Sequence, residues 1–155
     1  MGTDMKFDSL QEMLTHDHQY CDRLFADTEA AVARDDFAAA ATGFARFRET
    51  TERHLSVEEK LLFPKFEDKT GMRSGPTEVM RTEHQMMREL FDKMQAALER
   101  REAKQYLGLA ETLLMLLQQH NVKEENMLYP MMEQALTPEK NALIAELEAN
   151  GVGGS

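Results

Sequence analysis

The sequence predicts an all-α protein: an antiparallel up-down four-helix bundle made of two repeated helical hairpins, with a short C-terminal helix. Three observations lead there. Apolar residues recur at helical spacing along most of the chain, and no stretch alternates apolar and polar residues with period two. Prolines and glycines are scarce between residues 9 and 150 and gather at a few boundaries. A 66-residue repeat carries histidines, glutamates and prolines in register.

The elements follow in order. Ser9-Leu10-Gln11-Glu12 has the spacing of a capping box, so helix A runs from about Leu10 to Arg34. Its apolar positions Leu10, Met13, Leu14, Cys21, Leu24, Phe25 and Val32 share one face. Asp35-Asp36 connects to helix B, about Phe37 to Phe66, with Asp36 as the N-cap. Thr70-Gly71 and Ser74-Gly75-Pro76 form the central loop. Helix C opens at Pro76 or Thr77 and reaches about Arg100; helix D spans about Lys104 to Leu136. Thr137-Pro138 reads as an N-cap and first-turn proline for the last helix, which ends near Asn150-Gly151. Pro64 and Pro130 are expected to kink or end their helices. Residues 1–150 thus form a single domain and 151–155 a flexible tail.

Composition narrows the function classes. With 155 residues the chain can bury a real core, and 30% charged against 42% hydrophobic residues fits a globular protein. A net charge of −10 argues against nucleic acid and against an anionic membrane surface. The longest apolar run, Leu113 to Leu117, falls far short of the roughly 18 residues needed to span a bilayer. Met1 to Asp8 has no basic stretch followed by an apolar segment, and the single cysteine, Cys21, has no internal partner. The cytoplasm is the expected compartment.

The repeat carries the chemistry. Asp17-His18-Gln19 with Leu24-Phe25 returns as Glu83-His84-Gln85 with Leu90-Phe91. His54-Leu55-Ser56-Val57-Glu58-Glu59 with Leu61-Leu62-Phe63-Pro64 returns as His120-Asn121-Val122-Lys123-Glu124-Glu125 with Met127-Leu128-Tyr129-Pro130. A residue four further along a helix sits one turn on and points the same way, so His54 with Glu58, and His120 with Glu124, form inward pairs. His18 and His84 lie on the apolar faces of helices A and C. Every helix therefore sends a histidine to the axis, and two also send a glutamate. Burying such carboxylates alone is costly, and a pair of bridging metal ions removes that cost. Four imidazoles and two carboxylates suit iron, manganese or zinc.

This pattern resembles the hemerythrin-like family, in particular its HHE cation-binding branch. The resemblance covers about Leu10 to Met132 and matches at His18, His54, Glu58, His84, His120 and Glu124. It implies two non-heme iron ions held by those six residues, with a bridging oxo or hydroxo group, that meet dioxygen, peroxide or nitric oxide. In one respect the chain departs from the pattern. Oxygen-carrying hemerythrins place a fifth histidine four residues after the helix C histidine, and here that position is Arg88. With four histidines, both metals can keep an exchangeable position. Three functions stay open: a dioxygen-binding protein, an enzyme reducing peroxide or nitric oxide with an unidentified electron donor, and an iron-donating protein.

Other residues take plainer readings. His16 lies about 200° round the helix from His18 and repeats as Thr82, so it reads as a surface histidine. Glu59 and Glu125 lie off the inward direction and read as exposed charges or ion pairs. Cys21 reads as a small buried hydrophobe, Tyr129 as packing because its repeat partner is Phe63, and the 12 methionines as core filler.

Overall fold

The computed structural model describes residues 6–154, so Met1 to Met5 and Ser155, which the domain and tail boundaries include, lie outside the described residues. The helices are α1 (Leu10–Ala33), α2 (Phe37–Val57), α3 (Phe63–Thr70), α4 (Pro76–Glu99), α5 (Ala103–Lys123), α6 (Tyr129–Ala135) and α7 (Lys140–Ala149). The described residues contain no strand, and none of their helices is long and apolar enough to cross a membrane. The architecture is an all-α bundle of four long helical arms plus a short C-terminal helix. Helix α1 packs on α2 and α5, and α4 packs on α5 and α2, which closes a ring of four antiparallel neighbours.

Local sequence sets the helix ends. The Ser9 hydroxyl accepts the Glu12 N–H at 3.0 Å, and the Asp36 carboxylate accepts the Ala39 N–H at 3.1 Å. Both hairpin turns use the same device in the same register. Asp35 (φ 59°) and Arg101 (φ 55°) take the left-handed conformation, and the next residue's N–H returns to Ala31 in one turn and Ala97 in the other. At Gly43 a Cβ would lie 2.6 Å from the Thr28 hydroxyl, so glycine is what lets α2 approach α1 there.

The prolines neither end nor break their helices. Each arm runs through its proline by way of a π-helical turn, Glu58–Leu62 before α3 and Glu124–Leu128 before α6. The Phe63 N–H reaches the Glu58 carbonyl, and the Tyr129 N–H reaches the Glu124 carbonyl, each five residues back. Proline has no N–H and crowds the carbonyl four residues before it, and one wider turn relieves both problems. Each π turn begins at an inward glutamate.

Two expectations at the C-terminus are corrected. Thr137 does not cap the last helix: its hydroxyl donates back to Glu133 and Gln134, and Thr137–Glu139 form a 3-10 turn before α7. Residues 151–154 are not a loose tail. Val152 is buried among Phe7, Leu10 and Leu147, and the Gly153 N–H donates to Asp17 at 3.0 Å. Gly153 sits at φ 73° with a would-be Cβ 2.8 Å from the Phe7 ring, so only glycine fits this return.

Two apolar clusters fill the bundle. One, near the hairpin turns, contains Phe25, Phe44, Phe47, Met87, Phe91, Tyr106 and Leu113. The other, near the proline turns, contains Leu14, Leu62, Phe63, Phe66, Tyr129, Met132 and Ile144. Cutting a fully buried phenylalanine such as Phe47 to alanine costs about 3–5 kcal/mol. Between the clusters lies a buried layer of polar residues.

Candidate metal centre

The polar layer contains the six residues singled out by the repeat. All are buried, none more than 6% exposed. They fall into two groups whose donor atoms lie within 4.8 Å of one another: His18, His54, Glu58 and Glu124, and then Glu58, His84, His120 and Glu124. Each hairpin supplies both histidines of one pocket, and the two glutamates belong to both pockets.

Among the six, the side-chain atoms Glu58 Oε1, Glu124 Oε2, His84 Nε2 and His120 Nε2 are fully buried and make no hydrogen bond. His84 Nε2 lies only 3.2 Å from Glu58 Oε1. These groups are close without bonding, as donor atoms are when they converge on a common point. Four orphaned buried atoms would be costly unless a cation satisfies them. A mixed imidazole and carboxylate set suits a first-row transition metal or zinc. The residues present therefore fit a pair of metal ions.

The outer nitrogens of the histidines are all engaged. His54 Nδ1 meets Asp17 at 2.7 Å and His120 Nδ1 meets Glu83 at 2.8 Å. His18 Nδ1 meets Glu125, and His84 Nδ1 meets Glu59, each at 2.7 Å. A carboxylate on the outer nitrogen places the proton there and leaves the inner nitrogen's lone pair free for a metal. Each carboxylate comes from a helix neighbouring its histidine's. Asp17 is further fixed by the Gly153 N–H, Glu83 by the Lys123 ammonium, and Glu59 by Arg88.

Glu59 and Glu125 thus serve the site instead of standing as exposed charges. Their rotation off the inward direction carries them to the seam with the next helix. There a histidine whose inner nitrogen faces the axis presents its outer one. The signal was present in the sequence as a glutamate repeated directly after each inward glutamate.

The charges shift one another. Burial alone favours the neutral form of His54, but Glu58 and the Asp17 hydrogen bond outweigh it and raise its pKa well above the usual value. Burial opposes ionisation of Glu58 too, yet His54 and His84 hold its pKa well below the carboxylate range. His84 is lifted to about 9, its burial overcome by Glu58 and Glu59. Glu59 is held at about 2, its burial overcome by hydrogen bonds from His84 and Arg88. Without a cation, His18, His54 and His84 therefore favour the imidazolium form, and Glu58 and Glu59 the carboxylate.

Arg88, at the position of the missing fifth histidine, points to the outer edge. Its guanidinium binds Glu52 at 2.7 Å and Glu59 at 2.9 Å. His16 lies against the Phe7 ring, outside both groups. Cys21 lines a cavity of about 20 Å³ that adjoins the site, together with His18, His54, Phe47, Thr51 and Met87. Burial raises its thiol pKa to about 11, so it is an inert thiol at neutral pH.

The sequence suggests packing for Tyr129, but the structure places its hydroxyl inside the site. The oxygen lies 2.6 Å from Glu58 Oε2 and 3.0 Å from Glu124 Oε1. It lies 3.1 Å from Nε2 of both His18 and His54. Its repeat partner Phe63 instead stacks on His84, with ring centroids 5.9 Å apart. No pattern in the repeat could have shown this, because only one copy carries the hydroxyl.

The family profile of the hemerythrin HHE cation-binding domain matches residues 9–148. The chain belongs to that family, and its buried histidine and glutamate cluster is a candidate metal-binding site of the kind such a domain calls for. No curated protein and no solved structure matches the chain.

Proposed function

We propose that this hemerythrin-family chain is a non-heme di-iron protein that binds and handles dioxygen or a related small ligand such as peroxide or nitric oxide. The observation that carries the reading is the pair of four-residue groups sharing Glu58 and Glu124. His18 and His54 would hold one ion, His84 and His120 the other, and the two carboxylates would span both. Bound there, the iron pair supplies an electrophilic, redox-active centre for a small ligand.

The protein's own part is positioning and exclusion. Asp17, Glu59, Glu83 and Glu125 fix the four imidazole rings and their tautomers. The two apolar clusters keep bulk water from both ends of the layer. The adjoining cavity of about 20 Å³ has room for about one water, which selects for a ligand of two or three atoms. Burial of all six residues favours retention of iron over donation. Arg88 is held away from the axis by Glu52 and Glu59, so no fifth histidine closes the sphere, which favours reactivity with peroxide or nitric oxide over stable oxygen carriage.

Iron analysis of the purified protein, with optical spectra before and after air and peroxide, tests this. The expected result is two irons per chain, rapid autoxidation of the reduced protein and a spectrum that peroxide bleaches or cycles. A single metal per chain would overturn the shared-carboxylate reading. A long-lived oxygen adduct that releases its oxygen intact under vacuum would return the protein to the carriers.

A further inference from the structure

We propose that Tyr129 is a direct ligand of the metal in the His18 pocket, so that the two metals differ although the repeat makes their other ligands equivalent. The inference rests on the two-metal reading above. Its basis is geometric. The phenol oxygen lies 2.6–3.1 Å from four atoms at once: Glu58 Oε2, Glu124 Oε1, His18 Nε2 and His54 Nε2. Neighbours within that set are spaced alike, His54 Nε2 to Glu58 Oε2 at 3.2 Å and His18 Nε2 to Glu124 Oε1 at 3.1 Å.

A hydroxyl has one proton and cannot bond to four partners. Ligands about 2.0–2.2 Å from one metal stand about 3 Å from each other when they are adjacent, and the phenol oxygen and two of the donor pairs have that spacing. The phenol oxygen sits as an apex over the four donor atoms. The ring is fully buried and approaches from the cluster near the proline turns. The small cavity opens from the other cluster, through Cys21, Phe47, Leu55, Met87 and Leu117, and Tyr129 does not line it. The tyrosine therefore reaches the donor set from a different side than the cavity does. The two-fold related position belongs to Phe63, which has no oxygen to offer, and the corresponding donor atoms in the His84 pocket stay orphaned.

The binding step is an exchange of a proton for a metal. The phenol O–H bond breaks, its proton leaves to solvent, and an oxygen lone pair forms the bond to the cation. No electron changes hands. The His18 pocket then has five protein donors and the His84 pocket four, so small ligands discriminate between the metals.

The test is the visible spectrum of the iron(III) protein alongside its iron content. A phenolate bound to iron(III) gives a charge-transfer band that imidazole and carboxylate ligands do not. The wild-type protein should show the band with two irons per chain. Tyr129→Phe should lose it while still binding iron, with one of the two sites weakened at least about tenfold. Phe63→Tyr should strengthen the band by supplying the second phenol. Zinc titration of the wild type gives an independent reading that needs no variant, since a bound phenolate produces the ultraviolet difference spectrum of tyrosinate. Two irons with no such band, a band that survives Tyr129→Phe, or zinc binding without a tyrosinate signal would overturn the ligand assignment and leave the di-iron reading standing. Failure to bind two metals would overturn both.

Discussion

The pocket on His18 and His54 and the pocket on His84 and His120 are two copies of one pattern, and they differ in the groups placed around it. They match in their histidines, in the carboxylates behind them and in the π turns that deliver Glu58 and Glu124. They differ at Tyr129 against Phe63 and at Asp22 against Arg88, each pair 66 residues apart. Arg88 braces Glu59 behind His84, whereas exposed Asp22 gives Glu125 no such cation. What the pockets share is what holding two cations demands. The differences would decide how unlike two bound cations become.

The most direct way to break this comparison is to remove what the pockets share. Glu58→Ala or Glu124→Ala should drop metal loading from two per chain to one or none, read by elemental analysis. Two full equivalents in either variant would mean the pockets are independent.

A smaller effect separates the pockets. Asp17→Asn and Glu83→Gln each disturb one histidine, His54 or His120. Each should weaken its own pocket's metal by about 10- to 100-fold and leave the other pocket nearly unchanged, as competition with a chelator would show. Asp17→Asn should be the more severe, since Asp17 also holds the Gly153 N–H.

pH sharpens the picture further. Metal needs neutral imidazole, and His84 is protonated in the metal-free protein below about 9. Metal affinity should therefore rise with pH up to about 9, with proton release visible by calorimetry in buffers of different ionisation heat. Metal-free stability runs the other way. The contribution of His84 is complete below the ordinary imidazole value of 6.5 and is lost as pH rises through about 9. That of Glu59 is complete above 4.5 and is lost as pH falls toward about 2. Glu59→Gln should cost the metal-free protein about 1 kcal/mol at pH 6 once solvent screening is allowed for, measured by urea unfolding. His16→Ala, outside both pockets, should leave the metal content unchanged.

The sequence alone shows the four helical arms within a few residues, because their apolar spacing and caps act locally. The convergence of the six inward residues was legible for the same reason: a histidine and a glutamate four apart on an apolar face must point together. Other features depend on neighbours. The π turns arise from a conflict between Pro64 or Pro130 and the backbone behind it, and a uniform helical period cannot express that. Glu59 and Glu125 gain their role only once a second helix brings a histidine to their seam. The closing segment at Val152 and Gly153 is short and rich in glycine, and only the cleft between Phe7 and Asp17 reveals why.

The polar layer between two apolar clusters also works as a register key. A bundle with an unbroken greasy interior can slide its helices by one turn and lose little. Here such a slip would drive Glu58 or Glu124 into Phe47 or Phe66 territory and strip every histidine of its carboxylate. Replacing the whole layer with leucine would therefore yield a bundle as stable as this one without metal or more so, yet less certain of its own alignment. Buried ionic layers often cost stability, and what this one secures is that only a single arrangement of four similar helices is worth adopting.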